Sequence, residues 1–272
     1  MEEREPMLQI ICGKKGVGKS YLTKKILDKY VVGNPSKGVV GRKVLIFDVN
    51  DEYVDVKALS LKDVIVFSIH PKIEMRRIRP FHPDGRKMGI RDLQNTLFLI
   101  LEKFKGGLLL IEDISKYISD SLPQDIVGNI CTNRHNDLDI IIQLQSVGRI
   151  TPKLLQNLNV IRMHKISDSV MKHKEKFQDM LEPLSLIEMY LNKEYFEGNI
   201  RVYAYFDADN DKIRGVDKRK FIKIIEEYLS LNYNTLIKPL LNQRDLGMGS
   251  KSMTAKEAVK FQTDRIVKYY LN

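Results

Sequence analysis

The stretch Met7–Ser20, which reads MLQIICGKKGVGKS, joins a short apolar segment to the pattern G-x-x-x-x-G-K-[ST]. A helical pattern over Lys19–Tyr30 follows at once, with apolar side chains recurring on one face. Strand, glycine-rich loop and helix in this order are the context that a phosphate-binding loop requires. The stretch therefore predicts a P-loop, in which backbone N–H groups wrap around the phosphates of a nucleotide.

The chemistry of such a loop gives its residues separate tasks. Glycines let the backbone approach the phosphates closely, and the helix N-terminus adds the positive end of its dipole. We expect the Lys19 ammonium to reach the β- and γ-phosphate oxygens and the Ser20 hydroxyl to bind Mg²⁺. The predicted cofactors are ATP and Mg²⁺. The predicted nucleotide-binding residues are Gly13, Lys14, Lys15, Gly16, Val17, Gly18, Lys19, Ser20 and Tyr21.

Short runs rich in Ile and Val alternate with helical patterns along most of the chain, which is typical of a mainly parallel α/β sheet flanked by helices. The predicted strands are Met7–Cys12, Lys43–Asp48, Val64–Phe67, Leu108–Glu112, Asp139–Leu144, Val160–His164 and Ile200–Phe206. Besides the first helix, which Gly33 should end, the predicted helices are Leu93–Phe104, Asp168–Leu181 and Pro183–Leu191. We predict an ATPase domain over residues 1–206.

The remaining residues divide into two shorter parts. Residues 207–241 are predicted to form a hairpin turn and a helix, capped by Asp217, that close the core. Residues 242–272 are predicted to form a small basic segment, in which the linker Asn242–Ser252 precedes a helix over Thr254–Tyr270.

Charge is unevenly distributed over the 272 residues. The formal net charge is +10, and residues 212–272 contain 13 Lys or Arg against 6 Asp or Glu. Such an excess favours a polyanionic partner, although a basic C-terminal segment can equally dock on an acidic protein or serve solubility. No apolar run approaches the ~20 residues of a membrane-spanning helix, so no membrane partner is expected. Two cysteines, Cys12 and Cys131, fit a reducing compartment, and we expect a cytoplasmic protein.

Two carboxylates follow the apolar run Leu108–Ile111. In open parallel sheets, ligands lie at the carboxyl ends of the strands, where Glu112 and Asp113 are expected. By position, Glu112 would bind Mg²⁺ through water and Asp113 would polarise the attacking water, as ATP hydrolysis requires. The usual order is Asp then Glu, so which of the two activates the water stays open.

A polar amide follows a later strand, Asp139–Leu144. Gln145 stands at its end and is a candidate sensor of the γ-phosphate, because an amide both donates and accepts. Gln143 is the alternative, since it shares a strand face with Gln145. Either could be an ordinary glutamine at the end of a strand.

In order, these motifs resemble the FtsK–HerA group of DNA-pumping ATPases, and within it the small genome-packaging ATPases of viruses. The resemblance spans roughly residues 7–206. It is carried by the P-loop, the segment Ile46–Tyr53 (IFDVNDEY), the segment Arg77–Phe81 (RIRPF), the pair Glu112-Asp113, the pair Arg134-His135 and the strand that ends at Gln145.

The resemblance implies a RecA-like (ASCE) P-loop NTPase core and a homo-oligomeric ring, a pentamer or hexamer, with nucleotide bound between neighbours. It also implies an arginine that reaches the γ-phosphate of the next subunit. Arg134 is the first candidate for this arginine finger and Arg149 the second, although either could be a plain surface arginine. Double-stranded DNA in a central channel is the implied partner, and a viral portal or capsid vertex is a further one.

The function expected from these motifs is an ATP-driven double-stranded DNA translocase, most simply the motor ATPase that packages a viral genome in the host cytoplasm. A cellular or plasmid-borne FtsK–HerA-type DNA-processing ATPase is one alternative. A small-molecule P-loop kinase and a non-enzymatic assembly factor that only binds nucleotide are others, and ATP turnover with and without DNA would distinguish them.

Overall fold

The computed structural model describes residues 5–114, 124–241 and 253–272. Its centre is an eight-stranded sheet with the order β10-β9-β8-β1-β7-β6-β4-β5. Two further strands, β2 and β3, form a separate antiparallel ribbon. The strands are β1 Leu8–Cys12, β2 Gly33–Asn34, β3 Val39–Val40, β4 Lys43–Phe47, β5 Met75–Ile78, β6 Gly107–Ile111, β7 Leu138–Leu144, β8 Val160–His164, β9 Tyr203–Asp207 and β10 Lys212–Arg214.

Six neighbouring strands, from β8 to β5, run parallel, and only β9 and β10 are antiparallel additions. The strand β7 lies between β1, which leads into the P-loop, and β6, which carries the acid pair. Because all three strands point the same way, their carboxyl ends meet at one edge. The mainly parallel α/β fold is therefore confirmed.

Helices cover both faces of this sheet. Helix α1 packs on one face, and α3, α4, α5 and α7 pack on the other. The helices are α1 Lys19–Val32, α2 Val64–Ile69, α3 Ile90–Lys103, α4 Gln124–Cys131, α5 Pro152–Gln156, α6 Lys174–Phe177, α7 Leu181–Phe196, α8 Lys218–Leu231, α9 Tyr233–Leu236, α10 Lys238–Leu241 and α11 Ala255–Leu271. In the ranges described, no helix has both the length and the apolar character needed to cross a bilayer.

The predicted strand Val64–Phe67 is wrong, because these residues begin helix α2. Val64 and Phe67, three positions apart, are buried on one face, and the Phe67 ring stacks on Phe104 with 5.8 Å between the ring centroids. Four consecutive apolar residues fit a short helix as well as a strand, so the sequence run is ambiguous. The strand at this edge of the sheet is β5, whose sequence MRRI contains two arginines.

The predicted helix Asp168–Leu181 is also wrong. Two 3-10 turns and the four-residue helix α6 occupy most of it. The following helix does not begin at Pro183 and end at Leu191, as predicted, but begins at Leu181 and continues to Phe196. Proline is tolerated in the first turn of a helix, where its missing N–H has no intrahelical partner.

The other predicted elements lie close to observed ones, and the strand predicted from Ile200 begins at Tyr203. Gly33 ends α1 with a φ of 72°, as predicted. The Asp217 side chain accepts from the Lys220 amide at 2.9 Å and caps α8. The predicted linker Asn242–Ser252 lies outside the described residues.

The last helix, α11, packs on α8 and β10, with Ala258, Ile266 and Tyr270 buried. The Tyr270 hydroxyl donates to Glu182 at 3.0 Å. Among the described residues of 212–272, two basic side chains also pair with acidic residues of α7: Lys220 with Glu194 at 2.5 Å and Arg265 with Glu182 at 3.4 Å. Pairs with a solvent-exposed lysine or arginine stabilise little, but these two place part of the positive charge against acidic groups of the same chain.

Candidate nucleotide site

The loop between β1 and α1 has the backbone that a P-loop needs. Gly16 and Gly18 have φ values of 84° and 85°, in the left-handed region that favours glycine. Gly13 needs the absence of a side chain for another reason. A Cβ atom there would lie 2.7 Å from the Cβ of His164, which packs against the loop from β8.

Lys19 begins helix α1 and folds back over the loop. Its Nζ atom donates to the carbonyl oxygens of Gly13 at 2.5 Å and Lys14 at 2.9 Å. Burial lowers the pKa of the Lys19 ammonium, and the nearby Asp113 carboxylate partly offsets this effect. The ammonium is thus held over the loop, where a bound phosphate would replace the carbonyl oxygens as its partner.

The acid pair lies at the carboxyl end of β6. Glu112 is 1% exposed, its Oε2 accepts from the Asn50 amide at 3.4 Å, and its Oε1 is buried without a partner among the described atoms. Burial, with the negative charges of Asp48 and Glu52, raises the pKa of Glu112 to about 8. A buried oxygen without a hydrogen bond in a cleft is suited to a cation or its bound water.

Asp113 has a different environment. Its φ of 38° lies in the left-handed region, which costs free energy for a residue other than glycine. Its Oδ2 accepts from Nε2 of Gln145 at 2.8 Å. The structure therefore brings together the carboxylate and the amide that the sequence assigned to water and to the γ-phosphate.

Glu52 is a site residue that our sequence reasoning missed. The Ser20 hydroxyl donates to its Oε2 at 3.2 Å. Asp48, at the end of β4, holds the segment by accepting from the amides of Glu52 at 2.9 Å and Tyr53 at 3.1 Å. The signal was present in the segment Ile46–Tyr53, which supported the family resemblance without a role for its glutamate.

An arginine from β5 stabilises this segment. Arg77 donates to the buried Asp48 at 2.7 Å and to Asp51 at 2.6 Å, and Arg79 makes two further bonds to Asp51. Removing one partner of a buried ion pair is strongly destabilising, because the other charge stays buried and unpaired. The segment Arg77–Phe81 therefore acts on the site through Asp48 and Asp51.

These groups surround a cleft with a volume of about 420 Å³. Its lining includes most of the predicted site together with Asn50 and Glu52, which were not predicted. The lining residues are Lys15, Gly16, Gly18, Lys19, Ser20, Tyr21, Asn50, Glu52, Glu112, Asp113, Gln143, Leu144 and Gln145.

Three loop residues do not contribute to that lining. Gly13 lies under His164, Val17 is buried, and the Lys14 ammonium lies 4.2 Å from the centroid of the Tyr195 ring. The backbone N–H groups of Gly13 and Lys14 also donate within the chain, to the carbonyls of Leu144 at 3.3 Å and Lys165 at 2.8 Å.

The two candidate sensor glutamines differ in exposure. Gln145 is exposed and bonded to Asp113, whereas Gln143 is 3% exposed, with its Nε2 buried and without a partner in the described part of the chain. Both line the cleft, as their shared strand face predicted. The contact with Asp113 favours Gln145 as the residue that couples to the reacting groups.

The two candidate arginines lie at opposite ends of β7. The 3-10 turn that contains Arg134 precedes the strand, and the exposed Arg149 follows it. The seven residues of β7 span roughly 20 Å. Arg134 therefore lies near the amino end of β7, at the edge of the sheet opposite its own cleft. Arg149 follows the carboxyl end of β7, at the same edge as the cleft. Neither is among the described residues that line the cleft.

The oxygen atoms that line the cleft are suitable ligands for a magnesium ion. Ser20 and Glu52 place two oxygens together, and the buried Oε1 of Glu112 supplies a third. Oxygen ligands with several retained waters are what Mg²⁺ prefers. A close group of three or more His, Cys, Asp or Glu side chains suited to a metal does not occur among the described residues, so the ligands at the cleft would be two carboxylates and one hydroxyl.

The raised pKa of Glu112 predicts a pH effect on stability. The folded protein retains a proton that the unfolded chain releases near pH 4.3. This contribution is complete below pH 4.3 and is lost as the pH rises through about 8. Without nucleotide, we expect the Tm to fall by about 4–8 °C more between pH 5 and pH 8.5 in the natural protein than in Glu112→Gln.

Scanning fluorimetry across that range measures the difference. Glu102→Gln, which changes an exposed glutamate on α3, is the matched control and should keep the slope of the natural protein. Equal slopes in Glu112→Gln and the natural protein would contradict the assignment of a proton to Glu112.

Comparisons with known proteins identify the family of the chain. The family model described as "Helicase HerA, central domain" matches residues 10–194. No curated protein matches the chain.

Among solved structures, the genome packaging NTPase B204 from Sulfolobus turreted icosahedral virus 2 in complex with AMP is 18% identical, with a TM-score of 0.52, covering 79% of this chain and 99% of that one. The same NTPase in complex with ATP-gammaS is 18% identical, with a TM-score of 0.50, covering 77% and 95%. B204, described as the DNA-packaging ATPase from Sulfolobus turreted icosahedral virus, is 18% identical, with a TM-score of 0.51, covering 78% and 97%. At this identity the likeness concerns the fold. Because the family model covers more than half of the sequence, the chain belongs to the HerA central-domain family, within the FtsK–HerA superfamily of P-loop ATPases.

Proposed function

We propose that the protein hydrolyses ATP between the subunits of a ring and uses the cycle to move double-stranded DNA. The observation that carries this proposal is the contact between Asp113 and Gln145, in a cleft that also contains Lys19 and Ser20. A carboxylate and an amide at the carboxyl ends of two parallel strands face the position that a γ-phosphate on the P-loop would occupy.

The residues divide the chemistry between them. The loop backbone and Lys19 bind the phosphates, and Ser20, Glu52 and Glu112 would hold Mg²⁺, in part through water. Bound Mg²⁺ would neutralise charge on the β- and γ-phosphates. Asp113 accepts a proton from the attacking water, and Gln145 fixes the position of that carboxylate. Glu112 would be occupied as a ligand of the metal, which supports the assignment of the water-activating role to Asp113.

In a ring, a neighbouring subunit would supply an arginine to the γ-phosphate. Arg134 lies at the edge of the sheet opposite its own cleft, so any contact that it makes with a γ-phosphate would be in a neighbouring subunit. An arginine supplied in trans stabilises the charge that develops on the transferred phosphoryl group. We propose Arg134 for this role and keep Arg149 as the second candidate. A pentamer or a hexamer would satisfy the arrangement.

Duplex DNA is the proposed substrate of the motor. Membership of a family described by a helicase domain and a fold shared with a genome packaging NTPase both support it. The net charge of +10 suits a polyanion. A viral packaging role, with a portal or capsid vertex as partner and the host cytoplasm as location, is the specific form that we favour. A DNA-processing role in a cell or plasmid is the alternative.

Measuring ATP turnover with and without duplex DNA tests the proposal. We expect DNA to stimulate turnover, and added salt to weaken the stimulation because phosphate contacts are screened. Asp113→Asn should bind ATP but hydrolyse it at least about 100-fold more slowly, with or without DNA. The matched control Asp264→Asn changes an exposed residue of α11 and should behave like the natural protein.

Other outcomes would overturn the proposal. Turnover that requires a metabolite acceptor would identify a kinase. Nucleotide binding without turnover under any condition would identify an assembly factor. Full activity in Asp113→Asn would remove the catalytic assignment.

A further inference from the structure

An exposed tyrosine and an exposed arginine meet beside the P-loop. Tyr21 is 55% exposed and directly follows Ser20 in the first turn of α1. The Arg201 guanidinium carbon lies 5.3 Å from the centroid of the Tyr21 ring, and the Lys25 ammonium lies 4.5 Å from it. Arginine is suited to such contacts, because its planar, weakly hydrated guanidinium stacks on aromatic faces.

Arg201 also contacts the loop itself. It precedes β9, and its aliphatic stem covers Gly18, where an added Cβ would lie 3.5 Å from the Arg201 Cγ. Gly18 and Tyr21 both line the nucleotide cleft, so Arg201 borders that cleft. Arg201 has no part in the proposed binding of the phosphates or of Mg²⁺.

The position of Arg201 relative to a bound nucleotide follows from the direction of the phosphates. The γ-phosphate end must face Asp113 and Gln145, at the ends of β6 and β7. The nucleoside must therefore leave the loop at its other end, past the first turn of α1. Tyr21 and Arg201 are the exposed side chains that meet there.

We propose that Arg201 stacks on the base of the bound nucleotide, while Tyr21 supports the guanidinium. This assignment rests on the proposed function, since a nucleotide must occupy the P-loop. A base presents a flat π-face, on which the planar guanidinium of an arginine stacks as a lysine ammonium cannot. The contact is made to the face of the base rather than to its edge. It therefore favours larger purine rings over pyrimidines and separates adenine from guanine poorly.

Calorimetric titration of the natural protein and of Arg201→Ala with two ligands tests the stacking. Mg²⁺-ADP carries a base, and inorganic tripolyphosphate with Mg²⁺ carries phosphates alone. Arg201→Ala should bind ADP about tenfold more weakly, whereas its affinity for tripolyphosphate should change less than about twofold. The matched control Arg219→Ala, at an exposed arginine of α8, should leave both affinities unchanged.

Two further readouts separate stacking from charge. Arg201→Lys keeps the positive charge without the planar group, and it should keep the affinity for tripolyphosphate while losing affinity for ADP. The preference of the natural protein for ATP over CTP should decrease in Arg201→Ala.

Each contrary result has a distinct meaning. Equal weakening of both ligands in Arg201→Ala would place Arg201 on the phosphates and overturn the stacking. Unchanged ADP affinity, or full recovery in Arg201→Lys, would overturn it as well. If the natural protein bound neither ADP nor tripolyphosphate, the proposed function would be overturned, and the proposed contact with the base would fall with it.

Discussion

Lys19→Ala should bind Mg²⁺-ATP at least about 100-fold more weakly than the natural protein and should show no measurable turnover. The Lys19 ammonium is held over the loop by two carbonyl oxygens and faces the position of the phosphates. Removing a preorganised charge of this kind typically costs about 3–4 kcal/mol of transition-state stabilisation. Calorimetric titration and a phosphate-release assay measure the two effects.

The control for this variant is Lys29→Ala, which removes an exposed lysine from the last turn of the same helix. It should retain binding and turnover. Alanine at position 19 favours a helix, so Lys19→Ala should also keep the circular dichroism of the natural protein. Normal hydrolysis by a correctly folded Lys19→Ala protein would show that the reaction takes place elsewhere.

Arg134→Ala should reduce turnover about 1000-fold, and mixing it with Lys19→Ala should restore part of the activity. Neither variant is active alone, because one lacks the finger and the other lacks the phosphate lysine. In mixed rings, an intact P-loop of an Arg134→Ala subunit can face an intact Arg134 of a Lys19→Ala neighbour. A random equal mixture gives roughly a quarter of such complete interfaces.

Turnover measured across a series of mixing ratios tests this prediction, and it should peak near equal amounts. The same series with Arg149→Ala distinguishes the two arginines. Rescue with Arg149→Ala alone would transfer the role to Arg149. Rescue with neither arginine would contradict a contribution in trans.

Local patterns explain why the P-loop, its strand and its helix could be predicted from the sequence. The loop depends on glycine spacing and on two adjacent elements, and all of this information lies within Met7–Tyr30. The acid pair was predictable for a similar reason, because Glu112 and Asp113 follow the apolar strand that positions them.

The edge of the sheet near β5 could not be predicted in the same way. The local sequence of Val64–Phe67 is typical of a strand. These residues instead form a helix that packs beside α3, where the Phe67 ring stacks on Phe104. Conversely, β5 contains charged residues that look unsuited to a sheet. Arg77 is stabilised there by Asp48 and Asp51, which are 29 and 26 positions away in the sequence.

Contacts between distant segments also explain the missed site residues. Glu52 reaches Ser20 across 32 positions, and Arg201 meets Gly18 only because β9 joins the sheet beside β8. Residues so far apart in the sequence do not belong to one local motif. The role of Glu52 and the position of Arg201 could be inferred only from the order of the strands in the sheet.

Both outer strands of the sheet are protected against edge-to-edge pairing with another chain. The outer side of β5 is already bonded, since the Arg77 amide donates to Lys57 at 3.1 Å and Arg77 accepts from Leu59 at 2.7 Å. The other edge, β10, has three residues, and its Lys212 donates to the Tyr269 carbonyl of α11 at 2.6 Å. Short, charged or covered edges are how native sheets avoid aggregation. Subunits that assemble into a ring would therefore associate through side chains and loops, and strand exchange would not compete with that assembly.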